Sequence, residues 1–176
     1  QRNDTQSLTD VENRTVAGIT HRSYLEACTA RFFAAANLRT QYEPARFQLS
    51  SSVSYLPDFY LPDLKAYYET KPAYPYPEQM SKCSELAKLH GRDVYCFYGD
   101  VRVPYIGEFE DVKCAYTHRS HWRGLKWDAD TGNLSGPYVW VWNDATERAE
   151  PALISDPIRD LRWKHPKILE AYSSPS

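Results

Sequence analysis

Residues 55–71 of the chain, YLPDFYLPDLKAYYETK, predict a β-hairpin. Two short runs rich in tyrosine and phenylalanine, residue types favoured in strands, flank a Leu-Pro-Asp-Leu turn. If the turn is centred between the two runs, Asp58 on the first strand lies opposite Glu69 on the second. Because side chains alternate between the faces of a strand, Glu69 and Lys71 project from one face and Thr70 from the other. One face therefore gathers two carboxylates and an ammonium group, a set that suits a hard divalent cation with a water molecule beside it.

A helix is predicted upstream of this hairpin, between His21 and Asn37, because apolar residues recur there at spacings of three and four. Glu26 lies at the margin of the apolar stripe. Ser23 and Glu26 match the Ser-x-x-Glu capping box, in which the glutamate returns a hydrogen bond to the residue that caps the helix. Spacing alone therefore favours a structural role for Glu26 and leaves a metal role open.

A parallel strand pair is predicted downstream of the turn. Strand 65–71, helix 77–90 and strand 93–98 form a β-α-β unit, in which the two strands run parallel with a right-handed crossover. Short strands at 38–42 and 47–49 precede the hairpin, which gives three successive, antiparallel strands. The predicted fold is therefore mixed α/β (α+β), with the order α-β-β-β-α-β and a mixed central sheet. After Lys71, the run PAYPYP at residues 72–77 ends the strand and leads into the helix.

Three segments follow one another along the 176 residues. Residues 1–19 are polar, without sustained periodicity, and are predicted to be a flexible N-terminal arm. Residues 20–100 hold the predicted core. Residues 101–176 are predicted to be a β-containing elaboration packed on that core, with strands near 103–109 and 138–142, and not a clearly separate domain.

The composition favours a folded domain over a disordered or membrane-spanning chain. Hydrophobic residues make up 42% and aromatic residues 14% of the chain, and charges of both signs are interspersed. The net charge of -2 provides no global basic excess, so nucleic-acid contacts would depend on a local surface. The absence of any apolar run of about 18 residues predicts no membrane span. The four cysteines form no Cys-x-x-Cys pair, which favours buried thiols in a reducing cytoplasm.

Several phrases of the sequence resemble the PD-(D/E)XK nuclease superfamily, whose core is the restriction-endonuclease-like fold with the order α-β-β-β-α-β. They are a glutamate in an early helix, Pro57-Asp58 in a strand and Glu69-Thr70-Lys71 in the next strand. A closer likeness, to small phage and prophage nuclease-like proteins, covers about residues 21–100. It is carried by the phrases RSYLEA (22–27), QYEP (41–44), YLPDFY (55–60) and VYCFYG (94–99).

The resemblance implies a metal-dependent nuclease with Mg²⁺ or Mn²⁺ as cofactor. Asp58 and Glu69 would be metal ligands, and the carbonyl group of Thr70 would add another. Glu26 would complete the acidic site from the helix. Lys71 would orient or activate the attacking water, and a dry floor beside a metal could lower its pKa and help proton transfer.

Two features of the superfamily are absent. Relatives often carry Cys-x-x-Cys pairs after the core, and without such pairs no C-terminal zinc module is expected here. Gln79 is not followed by the Gln-x-x-x-Tyr spacing of the exonuclease members, so endonuclease and exonuclease action both stay open.

Two clusters of cations and aromatic rings in the C-terminal part are candidates for nucleic-acid contact, because cations bind phosphates and rings stack on bases. An equally good interpretation is that the rings are buried and the cations snorkel over them. The candidate contacts are His118, Arg119, His121, Arg123, Lys126, Arg162 and Lys164.

The sequence therefore predicts a hydrolase that cleaves DNA, of phage or mobile-element type, acting in the cytoplasm of the host cell. One alternative is a catalytically inactive nucleic-acid-binding module of the same fold. Another is a phage interaction protein that binds a host protein through its long C-terminal part. Paired cleavage of two strands often uses two active sites, so a homodimer is a further expectation.

Overall fold

The structure, a computed structural model, describes residues 10–50, 52–99, 101, 122–143 and 145–153. Its longer helices are α1 (Tyr24–Ala35) and α2 (Pro77–His90). The strands are β1 (Thr15–Val16), β2 (Ile19–Thr20), β3 (Gln41–Tyr42), β4 (Phe47–Gln48), β5 (Ser54–Tyr55), β6 (Phe59–Leu61), β7 (Ala66–Lys71), β8 (Asp93–Tyr98), β9 (Arg123–Trp127), β10 (Leu134–Asn143) and β11 (Arg148–Leu153).

Seven strands form one mixed sheet in the order β11-β10-β9-β8-β7-β6-β3. Strands β7 and β8 run parallel, and the other neighbouring pairs are antiparallel. The mixed α/β class with a mixed sheet is therefore confirmed. The pairs β1–β2 and β4–β5 form separate two-stranded ribbons. The strand predicted at 47–49 thus pairs with β5 and lies outside the main sheet.

The predicted hairpin is present as β6 and β7. Leu61 pairs with Ala66 across a turn at residues 62–65. This register places Asp58, just before β6, opposite Glu69 on β7, as the position of the turn predicts. The geometry on which the candidate site depends is therefore confirmed.

Helix α2 links the two parallel strands of the predicted β-α-β unit. It begins at Pro77, whose fixed φ suits the first helical position. It ends at Gly91, which has a φ of 57° and adopts the left-handed conformation that ends many helices. Its buried residues are Cys83, Leu86 and Ala87.

The sheet has a helix on each face, and alternation along β8 shows this directly. Tyr95 and Phe97 belong to the cluster packed around α1, whereas Val94 and Cys96 belong to the cluster packed around α2. On β7, Tyr68 faces α1. Odd-numbered residues of β7 consequently face α2, which puts Glu69 on that side of the sheet.

The C-terminal strands extend the sheet beyond β8. The strand predicted at 138–142 lies within β10, whereas the one predicted at 103–109 falls outside the described residues. Trp122 and Trp140, both nearly fully buried, join the cluster around α1. The described residues of 122–153 therefore add strands to the sheet and side chains to its core. The sequence predicted a β-containing elaboration packed on that core.

The N-terminal segment is also ordered where it is described. A helical turn at residues 10–13 precedes the β1–β2 ribbon, although residues 1–19 were expected to form a flexible arm. Arg14 holds the ribbon to the start of α1, because its Nη1 donates a hydrogen bond to the carbonyl oxygen of His21 at 2.7 Å. Within the described part of the chain, no helix has both the length and the apolar character needed to cross a bilayer.

Candidate functional site

The two carboxylates of the hairpin are locked together by reciprocal backbone hydrogen bonds. The backbone N–H of Asp58 donates to Glu69 Oε1 at 3.1 Å, and the backbone N–H of Thr70 donates to Asp58 Oδ2 at 2.9 Å. Both side chains are thus held in place before any ligand arrives.

Burial gives this carboxyl pair unusual acid–base behaviour. Glu69 is only 4% exposed, and Asp58 is partly buried. Burial raises the pKa of both groups, and repulsion from Glu69 raises the pKa of Asp58 further. Two buried carboxylates that lie this close repel each other when both are ionised, which destabilises the folded protein unless a proton or a cation lies between or beside them.

Lys71 supplies the neighbouring cation. Its Nζ lies 3.5 Å from Glu69 Oε2. Burial alone would lower the pKa of Lys71, but attraction to Glu69 and Asp58 outweighs burial and the pKa is raised. The lowered pKa expected from the sequence applies to Lys71 beside a bound metal and stays a prediction. Lys71 is a protonated donor suited to holding a water molecule or a phosphate oxygen.

Glu26 is occupied by a structural role. Ser23 Oγ accepts a hydrogen bond from the backbone N–H of Glu26 at 3.1 Å, and Glu26 Oε2 accepts one from the backbone N–H of Ser23 at 3.2 Å. The Tyr42 hydroxyl donates to the same Oε2 at 2.9 Å. The capping box is confirmed. Glu26 still contributes a nearby negative charge, which helps to raise the pKa of Asp58.

Thr70 connects the site to α1. Its side chain is buried on the face opposite Glu69, where Thr70 Oγ1 lies within hydrogen-bond distance of Thr29 Oγ1, at 3.1 Å. Thr29 Oγ1 also lies 2.8 Å from the carbonyl oxygen of Leu25. This contact fixes the strand at the residue between Glu69 and Lys71.

A cleft of about 120 Å³ opens beside Glu69 and Lys71, between the sheet and the N-terminal half of α2. Its lining is Tyr55, Glu69, Lys71, Pro75, Gln79, Lys82, Cys83 and Cys96. Burial raises the thiol pKa values of Cys83 and Cys96, so both are neutral at physiological pH. With Cys28 they form the buried free thiols of the described chain, as predicted.

Tyr55 and Lys82 belong to this cleft but were not singled out from the sequence. Tyr55 is buried, its hydroxyl lies 3.8 Å from Cys83 Sγ, and it faces Glu69. Lys82 lies one turn after Gln79 on α2, and this i, i+3 spacing beside the buried Cys83 was the available signal. Tyr55 carried no comparable signal, because its position depends on the β4–β5 ribbon.

The predicted nucleic-acid contacts fall into two groups. His118, Arg119, His121, Arg162 and Lys164 lie outside the described residues. Arg123 and Lys126 are on β9, a strand inside the sheet.

Lys126 is paired on the α1 side of the sheet, away from Glu69. Its Nζ lies 3.3 Å from Asp128 Oδ1 and 5.5 Å from the centre of the Tyr138 ring. Trp122, just before β9, and Trp127, the last residue of β9, are each 2% exposed. For residues 122–127, the described part of this cluster, the interpretation of buried rings beneath partly exposed cations fits the structure.

Among the described residues, no three His, Cys, Asp or Glu side chains are gathered so as to hold a metal ion alone. The donors present are the oxygens of Asp58 and Glu69, with the Thr70 carbonyl next in the chain. Mg²⁺ is typically held by one or two carboxylates, with water and substrate phosphates completing its shell. The donor set therefore fits a hard cation of this kind. Comparison with protein-family models, curated proteins and solved structures finds no match to the chain.

Proposed function

We propose that the protein is a Mg²⁺- or Mn²⁺-dependent nuclease that hydrolyses phosphodiester bonds of DNA. The observation that carries the proposal is the pair of Asp58 and Glu69, each of which accepts a hydrogen bond from a backbone N–H group of the hairpin. The Lys71 ammonium lies 3.5 Å from Glu69, and both residues line a cleft. The order of helix, antiparallel hairpin, crossover helix and parallel strand supports the PD-(D/E)XK assignment made from the motifs.

The carboxylate pair is the proposed cation site. Asp58 and Glu69 provide hard oxygen donors, and the Thr70 carbonyl is a third candidate donor. A bound Mg²⁺ or Mn²⁺ supplies charge that polarises the scissile phosphate and lowers the pKa of a coordinated water. Metal binding would also relieve the repulsion that Glu69 exerts on Asp58, because the cation offsets the negative charge of the two carboxylates.

Lys71 is the proposed positioning cation. The pKa of its ammonium group is raised, so it remains a donor across the physiological range and can hold the attacking water or a phosphate oxygen. Neutral Cys83 and Cys96 line the same cleft and keep bulk water away from Glu69. Lower local dielectric strengthens each electrostatic contact there.

The test is an incubation of the protein with linear, circular, single-stranded and branched DNA in Mg²⁺, in Mn²⁺ and in EDTA. We expect cleavage that requires the metal and is absent in EDTA. Lys71→Ala should lose most of it. Lys126→Ala is the matched control, because Lys126 is also a partly exposed strand lysine paired with a carboxylate, but on the other side of the sheet.

Two outcomes would overturn the proposal. Salt-sensitive DNA binding without cleavage would favour a catalytically inactive nucleic-acid-binding module. Neither binding nor cleavage would favour a protein that binds another protein.

A further inference from the structure

A proline-rich loop displays two tyrosines at the rim of the cleft. Tyr74 is 54% exposed and Tyr76 is 73% exposed, whereas Pro75 between them is buried and lines the cleft. The loop leads from β7, which carries Glu69 and Lys71, into α2. Prolines restrict its backbone, so the rings are displayed at low entropic cost to a ligand.

Contacts inside the protein hold this loop in place. The Tyr74 ring meets the Tyr98 ring edge-on, with 5.0 Å between the ring centres. The backbone N–H of Tyr76 donates to Gln79 Oε1 at 2.9 Å, and the Tyr76 carbonyl accepts the first α2 hydrogen bond, from Met80, at 3.0 Å. The two aromatic side chains are therefore exposed although their backbone is fixed.

Cations lie in the cleft that this loop borders and beside the Tyr98 ring that Tyr74 contacts. Lys71 and Lys82 line the cleft together with Pro75. Arg123 pairs with Tyr98 in the register between β8 and β9, and its charge acts on the Tyr98 hydroxyl. Aromatic faces beside cations suit a nucleic-acid strand, because the rings stack on bases while the cations meet phosphates.

We propose that Tyr74 and Tyr76 form a stacking surface for unpaired bases of single-stranded DNA whose backbone enters the cleft. This inference rests on the proposed nuclease function and names its substrate class. A base inside a duplex is already stacked on both faces and cannot meet the rings, so an unpaired strand, an end or a splayed base is the ligand that fits.

Binding in EDTA tests the surface without any cleavage. The probe is a fluorescently labelled single-stranded DNA oligonucleotide, measured by anisotropy beside the duplex of the same sequence. We expect the wild type to bind the single strand more tightly, and Tyr76→Ala to weaken that binding by about 5- to 100-fold. Tyr76→Phe should bind like the wild type, because stacking uses the ring and not the hydroxyl.

Leu89→Ala is the matched control, since Leu89 is similarly exposed, at 51%, at the opposite end of α2. It should bind like the wild type. Thermal unfolding of each variant shows that the fold is retained. The proposal is overturned if Tyr74→Ala and Tyr76→Ala both bind the single strand normally, if Tyr76→Phe is as weak as Tyr76→Ala, or if the wild type prefers the duplex.

Cleavage of the same oligonucleotides in Mn²⁺ separates this inference from the proposed function. Tyrosine-dependent binding without cleavage by the wild type would leave the stacking surface standing and remove the nuclease. Cleavage by the wild type with unaltered binding and cleavage by both tyrosine variants would keep the nuclease and remove the stacking surface.

Discussion

At the scale of single residues, the site rests on a carboxyl pair that is held by backbone hydrogen bonds but is electrostatically unfavourable. Asp58 and Glu69 accept N–H donors that fix their positions. Their pKa values are nevertheless raised, because burial outweighs those donors in both groups and repulsion from Glu69 adds to the effect of burial on Asp58. Electrostatically unfavourable groups of this kind are common at functional sites, where a bound ligand offsets the repulsion.

The first prediction concerns the stability of the metal-free protein. Asp58→Asn keeps an oxygen acceptor for the Thr70 N–H and removes one charge, so it should raise the melting temperature in EDTA at pH 8 by a few degrees. Calorimetry in EDTA measures this. An unchanged or lower melting temperature would show that the carboxyl pair carries no net repulsion.

The direction in which the stability of the metal-free protein changes with pH follows from the raised pKa values of Asp58 and Glu69. A carboxyl whose pKa is higher in the folded than in the unfolded protein binds more protons when folded, so stability falls as pH rises from the unfolded pKa through the folded one. The wild type in EDTA should therefore lose stability as pH rises above about 4, and Asp58→Asn should lose less. Equal slopes for the two proteins would contradict this explanation.

The second prediction separates the two roles of Glu26. Glutamine also serves at the third position of a capping box, so Glu26→Gln keeps the cap and removes the charge. We expect its metal-dependent cleavage to stay within a few fold of the wild type. Ser23→Ala should cost about 1 kcal/mol of unfolding free energy by loss of the cap. A collapse of cleavage in Glu26→Gln with normal stability would instead make Glu26 a metal ligand.

At the scale of elements, the hairpin could be predicted because a short turn fixes the register, and the period of two fixes the faces. The positions of α1 and α2 followed from a capping box and from Pro77 and Gly91, which are strong local signals. Strand β9 could not be predicted in this way. Its sequence, RGLKW, alternates poorly and contains glycine, so the neighbouring strands determine its structure.

The third prediction tests why β9 contains a glycine. Gly124 lies opposite Phe97, and a Cβ built there would be 2.4 Å from the Phe97 ring. Gly124→Ala should therefore lower the unfolding free energy by about 1–3 kcal/mol, measured by urea unfolding. Phe97→Leu removes part of the ring, so the double variant should lose less than the sum of the single losses. Additive losses would exclude a clash between these two residues.

At the scale of the whole molecule, the core cluster around α1 draws residues from both 20–100 and 122–153. Trp122, Trp140 and Ala149 pack in the same cluster as Phe32 of α1. Rings of Phe32 and Trp122 lie 4.7 Å apart, centre to centre, and are nearly perpendicular. These long-range contacts have no local signature, which explains why the sequence placed the C-terminal half outside the core.

The fourth prediction follows from this shared core. A fragment of residues 10–101 lacks both tryptophans and leaves β8 as an exposed edge, so it should not unfold cooperatively. Thermal denaturation followed by near-ultraviolet circular dichroism measures this beside the full chain. A cooperative transition close to that of the full chain would show that residues 20–100 form an independent core.

Cleavage by Asp58→Asn in Mn²⁺ tests the assignment of the site most directly. Loss of an outer-shell partner of a metal ligand typically costs about 10- to 100-fold, so loss of the ligand itself should cost at least about 100-fold. The measurement is the initial rate on the DNA that the wild type cleaves best, with EDTA as the blank and Lys126→Ala as the control. We predict a near-complete loss in Asp58→Asn and a normal rate in Lys126→Ala. An undiminished, metal-dependent rate in Asp58→Asn would contradict the account.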